Sequence, residues 1–295
     1  MEKCKICSSI GLKVVYQGPI RIGKFGSLSE QPHAIMQCPT CHAKELPNTF
    51  GSAGEYYQGE AYRKEVDGEV EASDYFRLHD GEQLRNLSVT GTGMFRNKVI
   101  ADVGCGAGSF LDGVRGHAAR AIAIEPYSTF RTSLAVRGYS CYPYIRDALA
   151  EHAEKVDVAT SFSVLEHVED PLDFLKGMRS LLAPGGKAVI STPNADDILL
   201  EALPESYPSF FYRKAHLWYF NAEGLTRLLS LAGFPSVKIV FHQRFGLGNF
   251  LGWMKEARPQ GDTRPSYVSA TLDAAWKAEL ERSGRCDYLY AEATA

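Results

Sequence analysis

The sequence has no long apolar run. Nothing in it approaches the roughly 18 uninterrupted apolar residues that a bilayer-spanning helix needs, which excludes such a helix. It has no excess charge of either sign: 32 Lys plus Arg stand against 35 Asp plus Glu, for a formal net charge of −3. A field able to hold the whole chain on nucleic acid or an anionic membrane is therefore missing. The opening Met1-Glu2-Lys3-Cys4 lacks the basic-then-apolar layout of a secretory signal, which predicts a cytoplasmic protein. In that setting the seven cysteines read as thiols or metal ligands, not disulfides. Internal repeats and low-complexity tracts are also absent.

What is present divides the chain. With 295 residues there is length for one large domain or two. Residues 1–50 hold four of the seven cysteines and little helical periodicity, with short strands expected at Leu12–Tyr16 and Ala34–Gln37. Residues 51–90 read as a linker, near 51–70, followed by a helical lid in which Leu84 and Leu87 have helix spacing. From Lys98 onward apolar strands alternate with helical patterns: strands at Val99–Val103, Ala121–Glu125, Val156–Phe162 and Lys187–Ser191, with helices between. That alternation predicts an α/β fold, a doubly wound, mainly parallel seven-stranded Rossmann-like sheet preceded by a small zinc-ribbon-like module. Residues 91–295 form the predicted main domain. Strands at Val237–Phe241 and Tyr288–Tyr290 flank an expected insertion near 245–284 that carries Trp253 and Trp276.

Cys4-Lys5-Ile6-Cys7 and Cys38-Pro39-Thr40-Cys41 are two CxxC pairs 30 residues apart. Each pair can present two thiolates on one side of a turn, and two such turns complete a tetrahedral zinc site. A module this small has little core, so a metal would supply much of its folding energy. A thioredoxin-type dithiol would need a βαβ context that these residues lack. Cys4, Cys7, Cys38 and Cys41 are thus expected to hold Zn.

Asp102-Val103-Gly104-Cys105-Gly106-Ala107-Gly108 falls where the first strand of the main domain turns into a helix. Glycines permit a tight turn and close approach of a ligand to the backbone, and an open helix N-terminus offers N–H donors. The nicotinamide-dinucleotide fingerprint would need glycine where Ser109 stands. An acid two residues before the first glycine would repel a pyrophosphate and suit a cationic or amino-bearing ligand. Glu125 ends the second strand, where such folds place an acid on ribose hydroxyls. The competing reading is a glycine turn with two solvated acids.

These residues carry a resemblance. Residues 99–190 resemble the class I S-adenosylmethionine-dependent methyltransferases in the Asp102–Gly108 turn and Glu125. The likeness continues in Leu165-Glu166-His167-Val168, Pro184-Gly185-Gly186 and Ser191-Thr192-Pro193-Asn194, and later in Ala215-His216-Leu217-Trp218-Tyr219-Phe220. The resemblance implies that S-adenosylmethionine is held by Asp102, Gly104, Cys105, Gly106, Gly108, Glu125, Pro126, Asp147, Ser163 and His167. Cys105 serves there as a small turn residue, since no base stands beside it. A methyl transfer to a hydroxyl or acidic carbon also needs a base. His167 and His216 are the candidates, with Glu166 or Tyr219 as orienting or alternative groups. The cysteine module and a Tyr-rich stretch, Tyr56-Tyr57…Tyr62, resemble the N-terminal region of deoxysugar C-methyltransferases. That implies a small-metabolite acceptor, a sugar or nucleotide-sugar. The alternatives are a ribosomal RNA methyltransferase reading RNA through the zinc module, or a non-enzymatic zinc-binding scaffold. The module is only mildly basic and lacks the aromatic spacing of an RNA-stacking surface, which disfavours nucleic acid. The intact glycine turn argues against the scaffold.

Overall fold

A computed structural model describes residues 3–23, 25–47 and 72–295. The linker expected near 51–70 and the Tyr-rich stretch lie outside the described residues.

Seven strands form the main sheet: β4 (Val99–Val103), β5 (Arg120–Ile124), β6 (Ser140–Tyr142), β7 (Val156–Phe162), β8 (Leu182–Pro193), β10 (Ser236–His242) and β11 (Tyr288–Thr294). Their order is β10-β11-β8-β7-β4-β5-β6. The pairs β4–β5, β4–β7, β5–β6 and β7–β8 are parallel, in register Asp102↔Ala123, Asp102↔Thr160, Ile124↔Tyr142 and Thr160↔Val189. Parallel strands are joined by crossover helices that cover the sheet, and the strands read accordingly as near-continuous apolar runs. Residues Ile100 to Val103 are all buried, as are Val158 to Phe162 with one face supplied by each alternate residue. The order reverses direction around β4, so the loops after β4, β5 and β7 meet at the carboxyl edge of the sheet, where open α/β folds bind ligands. The last strand in sequence, β11, is inserted between β8 and β10.

Several elements differ from the sequence expectation. The helix expected around Leu84 and Leu87 runs from Ala72 to Thr90. Leu84 is 69% exposed, while Tyr75 and Asn86 are buried, so the apolar pair does not mark the packed face. Strand β8 does not start at Lys187. It begins at Leu182 and passes through Pro184-Gly185-Gly186 by a register shift: Val156 pairs with Leu182 and Val158 with Lys187. Gly186 makes this possible. A Cβ there would stand 2.9–3.0 Å from the carbonyl oxygens of Ala183 and Val156. The short strand β6 and the helix Ile145–His152 carried too few residues to show in the apolar pattern.

A second sheet has the order β1-β2-β3-β9, from Lys13–Gly18, His33–Gln37, Lys44–Glu45 and Trp218–Tyr219. Its ladders are antiparallel, with Lys44↔Tyr219 joining the cysteine-bearing segment to residues far along the chain. Behind it, Ile20, Ile35, Leu46, Leu199, Tyr207, Phe211, Tyr219 and Trp253 form one core cluster. Tyr207, Phe211, Tyr212 and Tyr219 of the aromatic segment are therefore part of the core of this unit. By their internal packing the described residues fall into two compact units. One takes in Met1–Pro47, Thr192–Leu225 and Ile239–Tyr290, the other Asn48–Ser191, Thr226–Lys238 and Ala291–Ala295. No helix among the described residues is long and apolar enough to cross a membrane.

Candidate functional site

The glycine turn follows β4 directly. Gly104, Gly106 and Gly108 all have positive φ, at 76°, 56° and 92°, a backbone region that costs other residues steric strain. The turn is also tightly covered. A Cβ on Gly104 would strike Val164, and one on Gly106 would strike the Tyr75 hydroxyl. Gly104 and Cys105 donate their N–H groups to the Ile124 carbonyl, at 2.8 and 3.3 Å, which anchors the turn to the end of β5.

Neither acid of the turn is solvated. Asp102 is 3% exposed and accepts a hydrogen bond from the Thr160 hydroxyl at 2.7 Å. Burial pushes its carboxyl up to about 7, the Thr160 bond opposes this, and the charge of Glu125 adds to it. Glu125 is 2% exposed. One carboxylate oxygen accepts the Gly106 N–H and the other the Tyr127 N–H, both at 2.9 Å. Glu125 thus binds the turn after β4 to the turn after β5. Pro126 lies between them, and its carbonyl accepts from the Arg131 guanidinium, as does that of Glu125. Cys105 is buried. Burial, then the charges of Asp102 and Glu125, raise its thiol, so it stays protonated and unreactive.

Four further predicted residues sit near the ends of strands β6 and β7. Asp147 occupies the first turn of the Ile145–His152 helix and caps it, accepting the Tyr144 N–H at 3.1 Å. Ser163 follows β7 with a φ of 57° and donates its hydroxyl to Glu82 at 3.1 Å. Glu166 and His167 form a 3₁₀ turn, Leu165–His167. Glu166 is 1% exposed and His167 half-buried. In the other unit, His216 is buried with its N–H on the Arg213 carbonyl. Tyr219 is 1% exposed, and its hydroxyl accepts the Arg213 N–H at 2.8 Å and donates to the Arg213 carbonyl at 3.2 Å.

The Ala72–Thr90 helix adds residues that the sequence reading did not single out. Tyr75 covers Gly106, Asp80 accepts from the Ser109 hydroxyl at the start of the following helix, and Glu82 accepts from Ser163. His79 stacks on Tyr75 with ring centroids 4.2 Å apart. Positions 75, 79 and 82 lie on one face of a helix, and this spacing was the available signal.

The four paired cysteines converge. Their sulfurs all lie within 4.8 Å of one another, with Cys4–Cys41 at 3.6 Å and Cys7–Cys38 at 3.5 Å. A tetrahedral zinc with bonds of about 2.3 Å would set its sulfurs roughly 3.8 Å apart, close to both. The two turns repeat each other. Ser8 and His42, each just after the second cysteine of its pair, have φ values of 60° and 58°. Each donates its N–H back to the first cysteine's carbonyl, Ser8 to Cys4 at 2.9 Å and His42 to Cys38 at 3.1 Å. The Cys4 thiol is pushed down to about 5 by its hydrogen bond with Cys41, against the effect of burial.

The methyltransferase-domain family matches residues 80–239, more than half of the chain. The chain belongs to this family. Its fold is that of the class I S-adenosylmethionine-dependent methyltransferases. A Thermotoga maritima methyltransferase described as a possible histamine N-methyltransferase superposes with a TM-score of 0.50 at 19% identity, covering 75% of this chain and 93% of its own. Phosphoethanolamine N-methyltransferase 2 of Haemonchus contortus, solved with S-adenosylmethionine, gives 0.51 at 14%, covering 85% and 62%. Among curated relatives, a ubiquinone biosynthesis O-methyltransferase of Actinobacillus pleuropneumoniae is 34% identical over 123 residues, 38% of this chain and 52% of its own length. One of Aliivibrio fischeri is 33% identical over 127 residues, 40% and 53% respectively. The chain thus spans about half the length of these curated relatives.

The methyltransferase should show the cost of its buried acid. Between pH 3.8 and about 7 the folded Asp102 keeps a proton that the unfolded chain has lost. Its contribution to stability therefore falls as pH rises through that range, and the full cost is present above 7. Asp102→Asn keeps an oxygen for the Thr160 hydroxyl and removes the charge. It should melt several degrees higher than the parent at pH 8, with up to about 4 kcal/mol more stability, and match it at pH 4. Thermal melts across pH check this. Equal melting temperatures at pH 8 would mean that Asp102 ionises without penalty.

Proposed function

We propose that the chain transfers a methyl group from S-adenosylmethionine to a small metabolite, a sugar or nucleotide-sugar. The observation that carries the transfer is the buried Asp102–Glu125 pair around the Gly104–Gly108 turn at the carboxyl edge of β4 and β5. A cationic, amino-bearing ligand suits a buried carboxylate held up near 7, because its charge offsets the cost of ionisation. When bound, the cofactor supplies an activated methyl group on a sulfonium. The chain's own task is to orient it, with the glycines admitting it close to the backbone and Glu125 accepting from ribose hydroxyls. Pro126, Asp147, Ser163 and His167 complete the proposed cofactor wall. We divide the chain accordingly into a zinc-binding module (1–50), a linker and lid (51–90) and a catalytic domain (91–295) with an insertion near 245–284.

A second acceptor reading is a phenolic hydroxyl, favoured by the curated relatives named as ubiquinone biosynthesis O-methyltransferases. In either case an acceptor hydroxyl loses a proton. We assign His167 as the base and His216 as the alternative, with Glu166, buried beside His167 in sequence, orienting it. Tyr219 holds the Arg213 backbone and takes a positioning role. For the module we propose one structural Zn on Cys4, Cys7, Cys38 and Cys41, as the resemblance to deoxysugar C-methyltransferases also implies. Cys105, Cys141 and Cys286 take no part.

Four measurements test this reading. Glu125→Gln keeps one acceptor for the turn but sets an amide NH2 against the second buried N–H, so stability should fall by about 1–3 kcal/mol, and calorimetry on the folded protein should find S-adenosylmethionine bound about 1.5–3 kcal/mol more weakly. Unaltered affinity would remove Glu125 from the cofactor site. Release of S-adenosylhomocysteine over a panel of nucleotide-sugars, catechols and ribosomal RNA tests the acceptor, and turnover on catechols alone would refute the sugar. On the acceptor so found, His167→Ala should slow turnover by about 10²–10⁴-fold, far more than it weakens cofactor affinity through the lost wall contact. The same loss in His216→Ala alone would transfer the role. Protein purified without added metal should carry about one zinc per chain, released in Cys38→Ser. A metal-free, folded module would overturn the zinc site.

A further inference from the structure

One unit contains a cavity of about 260 Å³ that none of the proposed cofactor or metal residues lines. It is near the lower end of the sizes that small-molecule sites take. Two of its lining residues are Arg21 and Arg213. Their backbones form a parallel bridge, with the Arg21 N–H on the Tyr212 carbonyl and the Lys214 N–H on the Arg21 carbonyl, both at 2.9 Å. Two guanidinium groups are thereby brought together, each repelling the other. Among the described residues neither makes an ion pair, and the charges acting on Arg21 come from Arg213, Tyr207 and Tyr219, with no carboxylate. Arg21 lies 4.2 Å over the ring of Phe210, and its Nε is buried without a hydrogen-bond partner. The indole Nε1 of Trp276, on the same cavity, is also buried and unpartnered. Buried donors in folded proteins are almost always satisfied, so two on one cavity point to an acceptor that fills it.

The cavity's acids do not play that part. Asp287 is committed to Arg244, accepting its N–H and its Nε–H at 2.9 Å each. Asp197 caps the helix Ile198–Ala202 through Leu199 and accepts the Tyr207 hydroxyl at 2.8 Å. The charge left over is positive. The remaining wall is aromatic and rigid: Trp253 packs against Tyr207 and Phe210 with ring centroids 4.9 and 4.8 Å apart.

We propose that this cavity binds the phosphate-bearing part of a sugar phosphate, with Arg21, Arg213 and the Trp276 N–H as donors to the oxyanion and the aromatic wall against the sugar ring. Three donor groups from separate elements suit a tetrahedral oxyanion, with its several acceptor oxygens, better than a planar carboxylate with two. Guanidinium forks are matched to phosphate oxygens, and rings of this kind take the apolar face of a hexose. The inference deepens the sugar reading given above and rests on it for the identity of the ring. The oxyanion requirement rests on the cavity.

The test uses the full chain with no methyl donor present. Trp253 and Trp276 both line the cavity, so tryptophan fluorescence reports occupancy. Glucose 1-phosphate should give a saturable change and glucose none. Arg213→Gln and Arg21→Gln should each weaken glucose 1-phosphate at least 10-fold, with melting temperature held or raised because a like-charge contact is gone. Trp276→Phe should weaken it less, by the loss of one neutral donor, as read by calorimetry. Arg213→Gln carries the test if Arg21→Gln does not fold. No saturable response to glucose 1-phosphate, an equal response to glucose, or unchanged affinity in a folded Arg213→Gln protein would each overturn the proposal. Failure of the methyl-acceptor reading would instead appear as binding without turnover.

Discussion

The Glu125 carboxylate closing on two backbone N–H groups is the contact on which the catalytic unit depends. Gly106 and Tyr127 belong to the turns that follow neighbouring parallel strands, and one side chain satisfies both donors. Without it, two buried amides would lack partners, at a cost of about 1–3 kcal/mol each. The position-specific glycines follow from the same constraint. The chain must leave β4, pass under the Ile124 carbonyl and enter the helix at Ser109 within five residues, which three positive φ angles allow. Placing Asp102 beside this clasp puts two acids in one dry space, and burial then holds Asp102 near neutrality. The arrangement is costly for an empty site and suited to a cation.

The cysteine-bearing unit solves a different problem. Its first three strands are short, and β1 exposes most of its residues, so the sheet cannot bury enough apolar surface by itself. Two devices compensate. The paired turns after Cys4 and Cys38 gather four sulfurs at distances a tetrahedral metal would use. The strand Trp218–Tyr219 extends the sheet and brings with it the aromatic cluster around Tyr207, Phe211 and Trp253. The stability of this sheet is thus drawn from residues more than 170 positions away. In the same unit, the bridge between Arg21 and Arg213 brings a second positive charge to bear on the Arg21 guanidinium.

The sequence by itself determined the class of fold, the place of the glycine turn and the pairing of the four cysteines. These are local properties. A strand's apolar run, a glycine's access to positive φ and the spacing of CxxC are written in consecutive residues, so β4, β7 and the Gly104–Gly108 turn were legible. The tertiary structure alone decided which side chains meet. That Glu125 clasps Gly106, that Tyr75 covers the same glycine, and that Arg21 sits beside Arg213 depend on separations of 19, 31 and 192 residues, across which no periodicity carries information. The aromatic stretch 207–220 shows the difference most directly. As a string it read equally as pocket wall or core. The antiparallel pairing of Tyr219 with Lys44 set Tyr219 in the core of a sheet begun nearly two hundred residues earlier, while Tyr207 and Phe210 also wall the cavity, because a buried ring is placed by what packs on it from elsewhere in the chain.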